Sequence, residues 1–108
     1  MTAHWISIPA TALMILSFTS VLADETLARQ SGCLECHGTN NTIKGPTFQD
    51  IAAKYQNAAD ARTALIETVK HGGKGNWSDM TGGVPMPPYS PRLSDKQIVK
   101  LVDWVLSR

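Results

Sequence analysis

The last segment of the chain has the clearest helical pattern of apolar and polar residues. Ser94 and Gln97 form an S-x-x-Q capping box, which is a signature of a helix N-terminus. Apolar residues then recur at intervals of three and four, which places them on one face of a helix. That face consists of Ile98, Leu101, Val102, Val105 and Leu106. The pattern predicts a terminal helix with one side packed on a core.

Two earlier segments carry the same spacing. The stretch from Thr47 to Tyr55 gathers Phe48, Ile51, Ala52 and Tyr55 on one face. The next predicted helix is capped by Asn57 or Asp60 and runs to Lys70 or His71. Glycines are common just after a helix, so Gly72 and Gly73 are predicted to end it. Its inward residues are Leu65, Ile66 and Val69.

A fourth, short helix is predicted from Glu25 to Gln30. Asp24 and Glu25 favour a helix N-terminus there, because carboxylates are stabilised by the positive end of the helix dipole. No segment shows a strong strand pattern. The chain of 108 residues is therefore predicted to hold one all-α domain of about four short helices.

The first 23 residues differ in composition from the rest. The 10 basic and 9 acidic residues all lie from Asp24 onward. The apolar run is short for a membrane span, which needs about 20 mostly apolar residues. It ends in Val21-Leu22-Ala23, a pattern that a signal peptidase reads. We expect residues 1–23 to be a signal peptide, helical and detached, and residues 24–108 to be the exported domain. An uncleaved N-terminal anchor is the alternative; after cleavage, no stable membrane insertion is expected.

The charge balance excludes one class of function. The formal net charge is +1 at pH 7, and the sequence has no basic stripe of the kind that nucleic-acid binding needs. No nucleic-acid partner is therefore expected.

The only two cysteines lie in the stretch GCLECHGT, as Cys33 and Cys36, and His37 follows directly. C-x-x-C can be a redox disulfide or half of a zinc site, and C-x-x-C-H is typical of covalent haem attachment. A redox dithiol belongs near a strand–helix–strand pattern, and a zinc site wants four ligands at another spacing. Two intervening residues let one helical turn place both sulfurs along one haem edge, and His37 then faces the iron. The motif favours a single covalent haem c.

A second axial ligand for the iron is expected from the long loop between Gly72 and Ser94. The donors available after residue 23 are Met80, Met86 and His71. Prolines 85 and 87 flank Met86 and restrict its backbone, which favours a fixed sulfur ligand. Met86 could instead fill a gap in the core, as methionines often do. His71 is more typical of a helix C-terminus, and Met80 of loop packing.

Five motifs together resemble the small bacterial class I cytochromes c of the c-551/c-552 group. They are G-C-L-E-C-H, K-G-P-T-F at 44–48, G-N-W at 75–77, V-P-M-P-P at 84–88 and W-V-L-S at 104–107. The resemblance implies a class I cytochrome c fold with Met/His haem ligation. It also implies that Pro46 accepts a hydrogen bond from His37, that Trp77 reaches a haem propionate and that Trp104 packs the last helix on the first. Core packing is the alternative for Trp77. Ala28 stands where an aromatic is expected, which predicts a thin contact between those helices.

The expected function is periplasmic one-electron transfer between respiratory redox partners, with no catalysis. A peroxidase or gas sensor needs an open sixth site, and a four-helix cytochrome carries C-x-x-C-H near its C-terminus. The sequence does not distinguish a monomeric carrier from a subunit of a larger enzyme, because quaternary contacts leave no pattern in it. Transient docking is expected at the haem edge near Cys33, Pro46 and the segment 87–89. The near-neutral charge predicts modest electrostatic steering.

Overall fold

In a computed structural model of the chain, residues 2–5, 16–38, 41–75, 77, 79, 82 and 84–108 are described. Within these residues, four α-helices of known bounds follow one another: α1 Leu16–Gln30, α2 Phe48–Tyr55, α3 Ala61–His71 and α4 Asp95–Leu106. A short 3₁₀ turn, Cys33–Glu35, lies between α1 and α2. Within the described residues the chain forms no β-strand, only isolated bridges. The predicted all-α class is confirmed.

Helix α4 organises the fold, because it contacts each of the other three helices. Its predicted capping box is present: the Ser94 hydroxyl accepts from the Gln97 amide at 3.2 Å, and the Gln97 side chain accepts from the Ser94 amide at 2.9 Å. Of its apolar face, Ile98, Leu101 and Val102 are buried. Val105 and Leu106 are half-buried and pack against the same core.

Helix α2 also agrees with its sequence pattern. The Thr47 hydroxyl caps it by accepting from the Asp50 amide at 3.0 Å. Three of its four predicted inward residues are buried: Phe48, Ile51 and Ala52. The fourth, Tyr55, is half-buried against the core.

Helix α3 differs from its prediction in two respects. Asp60 occupies the N-cap position, but its side chain makes no capping bond there, because its backbone lies outside the extended region that such caps use. The inward residues Leu65, Ile66 and Val69 are only half-buried. Leu65 and Val69 stay partly accessible because they line a cavity, described below.

Helix α1 begins earlier than predicted. It runs from Leu16, so Asp24 and Glu25 lie in its interior and its first turn holds no acidic residue. The prediction that these carboxylates mark the helix start is wrong for the full chain. Residues 2–5 are not helical, and residues 6–15 lie outside the described part of the chain. Among the described helices, none has the length and apolar character that crossing a bilayer requires.

The first and last helices meet closely at Ala28, which is only 1% exposed. Ala28 and Trp104 belong to one buried cluster. Trp104 also meets Phe48 of α2 edge-on, with ring centroids 5.0 Å apart. A small side chain at position 28 therefore lets α1 approach α4, and the expected thinning of this contact is not seen.

Replacing Ile98 tests whether α4 is the centre of the core. Ile98 is fully buried, so Ile98→Ala should lower the free energy of unfolding by about 2–5 kcal/mol through lost burial and a residual cavity. The exposed Lys100 on the same helix is the control. Lys100→Ala should change stability by less than about 0.5 kcal/mol. Denaturant unfolding of the holoprotein measures both, and equal effects would contradict the central role of α4.

Candidate haem site

The C-x-x-C-H motif folds as one tight turn. Gly32 opens it in the left-handed region, with φ 82°, and the 3₁₀ turn Cys33–Glu35 follows. The Cys33 carbonyl then accepts from the amides of Cys36 at 3.3 Å and His37 at 2.9 Å. Both cysteines are half-buried free thiols. The expected helical turn is present, so the two sulfurs and the imidazole come from one compact piece of backbone.

A backbone carbonyl fixes the His37 ring. Nδ1 of His37 lies 2.7 Å from the Pro46 carbonyl oxygen. Because a carbonyl only accepts, Nδ1 must carry the proton, and the lone pair of the neutral ring is then on Nε2. Such a bond holds a ligating histidine in one tautomer and orientation and raises its basicity. The hydrogen bond that the resemblance implied for Pro46 is therefore present.

The same ring is enclosed by Gly45 and Phe48. The rings of His37 and Phe48 are stacked with centroids 5.5 Å apart. A Cβ added at Gly45 would lie 2.8 Å from the imidazole Cε1. The Gly45 amide also donates to the Cys36 carbonyl at 2.9 Å, as the Lys44 amide does at 3.1 Å. The segment 44–48 is thus bonded onto the motif and leaves the imidazole little freedom to rotate.

All six residues proposed from the sequence line one cavity of about 340 Å³. They are Cys33, Cys36, His37, Pro46, Trp77 and Met86. Core side chains from all four helices complete the walls, including Ala28, Phe48, Val69 and Leu101. Residues separated by up to 53 positions are therefore brought to a single site.

The donor set of this cavity fits a haem. Two thiols, an imidazole and a thioether line an otherwise apolar space. This combination suits a porphyrin, which is a flat, largely apolar ring with an iron at its centre. Among the described residues that line it, none is acidic, whereas Lys44 and Lys74 are basic. Basic side chains complement the carboxylates of a haem. Burial raises the pKa of the Cys33 thiol, which keeps that group neutral against the apolar wall.

Met86 lies in the cavity wall, packed against the core and half-buried. Its backbone forms an antiparallel bridge with Gly73 at the end of α3. The other two candidate donors differ. His71 is not among the cavity-lining residues; its side chain is 70% exposed and pairs with Glu67 at 3.1 Å. Met80 lies outside the described residues. Of the two candidates that are described, only Met86 is positioned for a ligand inside the cavity.

Trp77 is half-buried at the cavity and packs against the core. The Lys54 ammonium of α2 lies 4.3 Å from the centroid of its ring, a cation–π distance. This contact joins the start of the long loop to α2.

Sequence patterns do not reveal the role of two glycines of the site. Gly45 belongs to the K-G-P-T-F motif without a role of its own, and Gly73 is predicted only to end a helix. A glycine directly before Pro46, near a histidine whose ring must be held, is a usable signal for the first. The second has no such signal, because its partner Met86 lies 13 positions away in the chain.

Comparisons with known proteins agree with this geometry. The family model for cytochrome c matches residues 25–108. A cytochrome c-551 of Allochromatium vinosum is 45% identical over 87 residues, covering 81% of this chain and 87% of that protein. A cytochrome c-552 of Nitrosomonas europaea is 36% identical over 108 residues, covering 99% and 98%.

The fold agrees as well. The crystal structure of wild-type Nitrosomonas europaea cytochrome c552 superposes with a TM-score of 0.67 at 38% identity, covering 77% of this chain and 96% of that one. Proteins of this kind carry one covalently bound haem c and transfer electrons to and from redox partners. The chain belongs to the cytochrome c family, as a small class I c-type cytochrome of the c-551/c-552 group.

Proposed function

We propose that the protein is a periplasmic one-electron carrier whose haem iron is ligated by His37 and Met86. The observation that carries the proposal is the shared cavity, which both residues line together with the two cysteines. Met/His ligation is an established pairing in cytochromes c and raises the reduction potential. With His37 and Met86 both bound to the iron, no site would remain for a substrate or a gas, which favours a carrier over a peroxidase or a sensor.

The haem supplies the redox chemistry, because its iron gains and loses one electron. The chain's own residues bind and orient the group. Cys33 and Cys36 would attach it through thioether bonds, and His37 would bind the iron through Nε2 while Pro46 holds Nδ1. Trp77 would donate its indole N–H to a propionate. Each of these groups sits on backbone that is hydrogen-bonded or packed, so little would have to move when the iron changes charge.

We propose transient docking of redox partners at the mouth of the cavity. Val84 is 60% exposed and lines the cavity, and Ile43 next to the cavity-lining Lys44 is 54% exposed. Pro87 and Pro88 are exposed as well. Exposed apolar side chains at a functional opening are typical of interaction sites. Redox encounters use small interfaces, below about 1,200 Å².

Two of the residues near which docking is expected do not themselves reach the surface. Pro46 and Tyr89 are buried, with Tyr89 only 8% exposed. Pro46 is turned inward by its bond to His37, and the Tyr89 side chain belongs to the core. The proposed docking surface is therefore formed by Ile43, Val84, Pro87 and Pro88.

Periplasmic location rests on the proposed signal peptide, residues 1–23. Cleavage after Ala23 would divide α1 and leave a helix from Asp24 to Gln30. Asp24 and Glu25 would then stand in its first turn, where carboxylates stabilise a helix. The buried Ala28 lies in the part that remains, so the contact with α4 would be kept. The mature protein is proposed to be a monomer.

Replacing the two methionines of the loop tests the ligand assignment. Met86→Ala should abolish the far-red charge-transfer band between sulfur and ferric iron, open the ferrous iron to carbon monoxide and lower the reduction potential. Met80→Ala is the matched control and should leave all three unchanged. Absorption spectra and a potentiometric titration measure them. If Met80→Ala is the variant that loses the band, Met86 is not the ligand.

Replacing Val84 tests the docking surface. Val84→Ser removes an exposed apolar side chain and should reduce the second-order rate of electron transfer with the redox partner severalfold. The exposed Ala53 of α2 is the control, and Ala53→Ser should leave the rate unchanged. Because the net charge is only +1, the rate should depend weakly on ionic strength. A steep fall with salt, measured by stopped flow, would instead assign the docking to Lys44 and Lys74.

The intact mass of the purified holoprotein tests the signal peptide. We expect a chain that begins at Asp24 and carries one haem, found in the periplasmic fraction. Ala23→Tyr is the matched variant, because a large side chain at the last position should block the peptidase. A wild-type protein that still contains residues 1–23 would show that the segment is an anchor.

A further inference from the structure

The loop that carries Met86 is bonded to the end of α3 by four backbone hydrogen bonds. The amide of each of Gly73 and Met86 donates to the other's carbonyl at 2.9 Å. The Tyr89 amide donates to the Val69 carbonyl at 3.0 Å, and the Ser90 amide donates to the Lys70 carbonyl at 3.2 Å. The chain is therefore held before Pro87 by Gly73, just after α3, and beyond Pro88 by the last turn of α3.

Gly72 lies at the closest approach of these two segments. It is the C-cap of α3, with φ 71° and ψ −166°, a conformation open essentially to glycine alone. A Cβ at this position would collide with the Met86 carbonyl oxygen and would lie 2.9 Å from Pro87 C and from Pro88 N. These are backbone atoms of a proline-restricted segment, so they cannot turn aside as a flexible side chain could.

The neighbouring Gly73 provides a natural contrast. Its φ is 124°, so a side chain there is also strained. Among the described residues, however, none has an atom within 4 Å of a Cβ added at Gly73. Alanine at either position thus brings backbone strain, but only alanine at position 72 would push the Met86 segment away from α3.

We propose that Gly72 is a positioning residue for the axial methionine: its missing side chain lets the Met86 segment close on α3 and so keeps the sulfur on the iron. The inference rests on the proposed ligation by Met86 and adds the residue that controls it. The ion pair of Lys70 with Asp95, at 3.4 Å, connects the same end of α3 to the first turn of α4. Val69, whose carbonyl accepts from the Tyr89 amide, packs against the core and so anchors the support against which the segment closes.

The test compares the Gly72→Ala and Gly73→Ala holoproteins in the ferric state. Imidazole is the probe, because it binds the iron only when the methionine is displaced. The apparent affinity of such a probe rises with the population of the open form. We expect Gly72→Ala to bind imidazole at least about tenfold more tightly than Gly73→Ala, a difference of about 1.4 kcal/mol. Its far-red charge-transfer band should also be weaker and its reduction potential lower.

Equal imidazole affinities in the two glycine variants would overturn the inference. So would a Gly72→Ala protein whose band and potential match those of Gly73→Ala. The proposed function has its own, separate test in Met86→Ala. If Met86→Ala loses the band while the two glycine variants are alike, the ligand assignment stands and the role of Gly72 fails. If Met86→Ala keeps the band, the ligation itself is wrong.

Hydrogen exchange in the wild-type holoprotein tests the same closure if Gly72→Ala yields too little folded protein. The Gly73 and Met86 amides each donate to the other residue's carbonyl. Both amide hydrogens should therefore exchange through one opening event and with similar protection factors. The Ile98 amide, which donates to Ser94 within α4, should be better protected. Imidazole should raise exchange at Gly73 and Met86 and leave exchange at Ile98 unchanged. Exchange of all three amides only through global unfolding would contradict a separate closure of this segment.

Discussion

A cavity of about 340 Å³ interrupts the hydrophobic core, and the rest of the structure depends on how it is filled. Phe48, Ile51 and Leu101 are core residues and cavity walls at once. Apolar side chains that face an unfilled space lose the packing contacts that stabilise a core. The chain is thus short of a complete core by itself, and the covalent haem of the family supplies the missing part.

Backbone groups hold both proposed iron ligands in place. On one side the Pro46 carbonyl fixes the His37 ring, and the Gly45 backbone lies against it. On the other side Gly73 pairs with Met86, and Gly72 permits the close approach. Backbone groups have few alternative positions once they are hydrogen-bonded, so a ligand held in this way keeps its place when the charge on the iron changes. Glycine is needed on each side because the backbone itself makes the contact.

Much of the fold could be read from local sequence patterns. The face of α4, the capping box of Ser94 and Gln97 and the inward side of α2 all agree with the structure. The C-x-x-C-H motif likewise predicted the attachment site that we propose, because its chemistry is confined to five neighbouring positions. Predictions of such features succeed because the spacing of residues along a helix or within one turn determines them. The predicted start of α1 at Glu25 failed because the helical segment continues upstream in the full chain.

By itself, then, the sequence determined the helices, the haem motif and the candidate ligands, all of which depend on neighbours within a few positions. Only the tertiary structure decided which distant groups meet. It brought Gly73 to Met86 and the backbone of Gly45 to the His37 ring, and it buried Pro46 and Tyr89, near which the sequence had suggested docking. It also separated His71 from the cavity by pairing it with Glu67 on the outer face of α3. The physical reason is that these contacts follow from how helices pack around a shared space, and no local pattern records that packing.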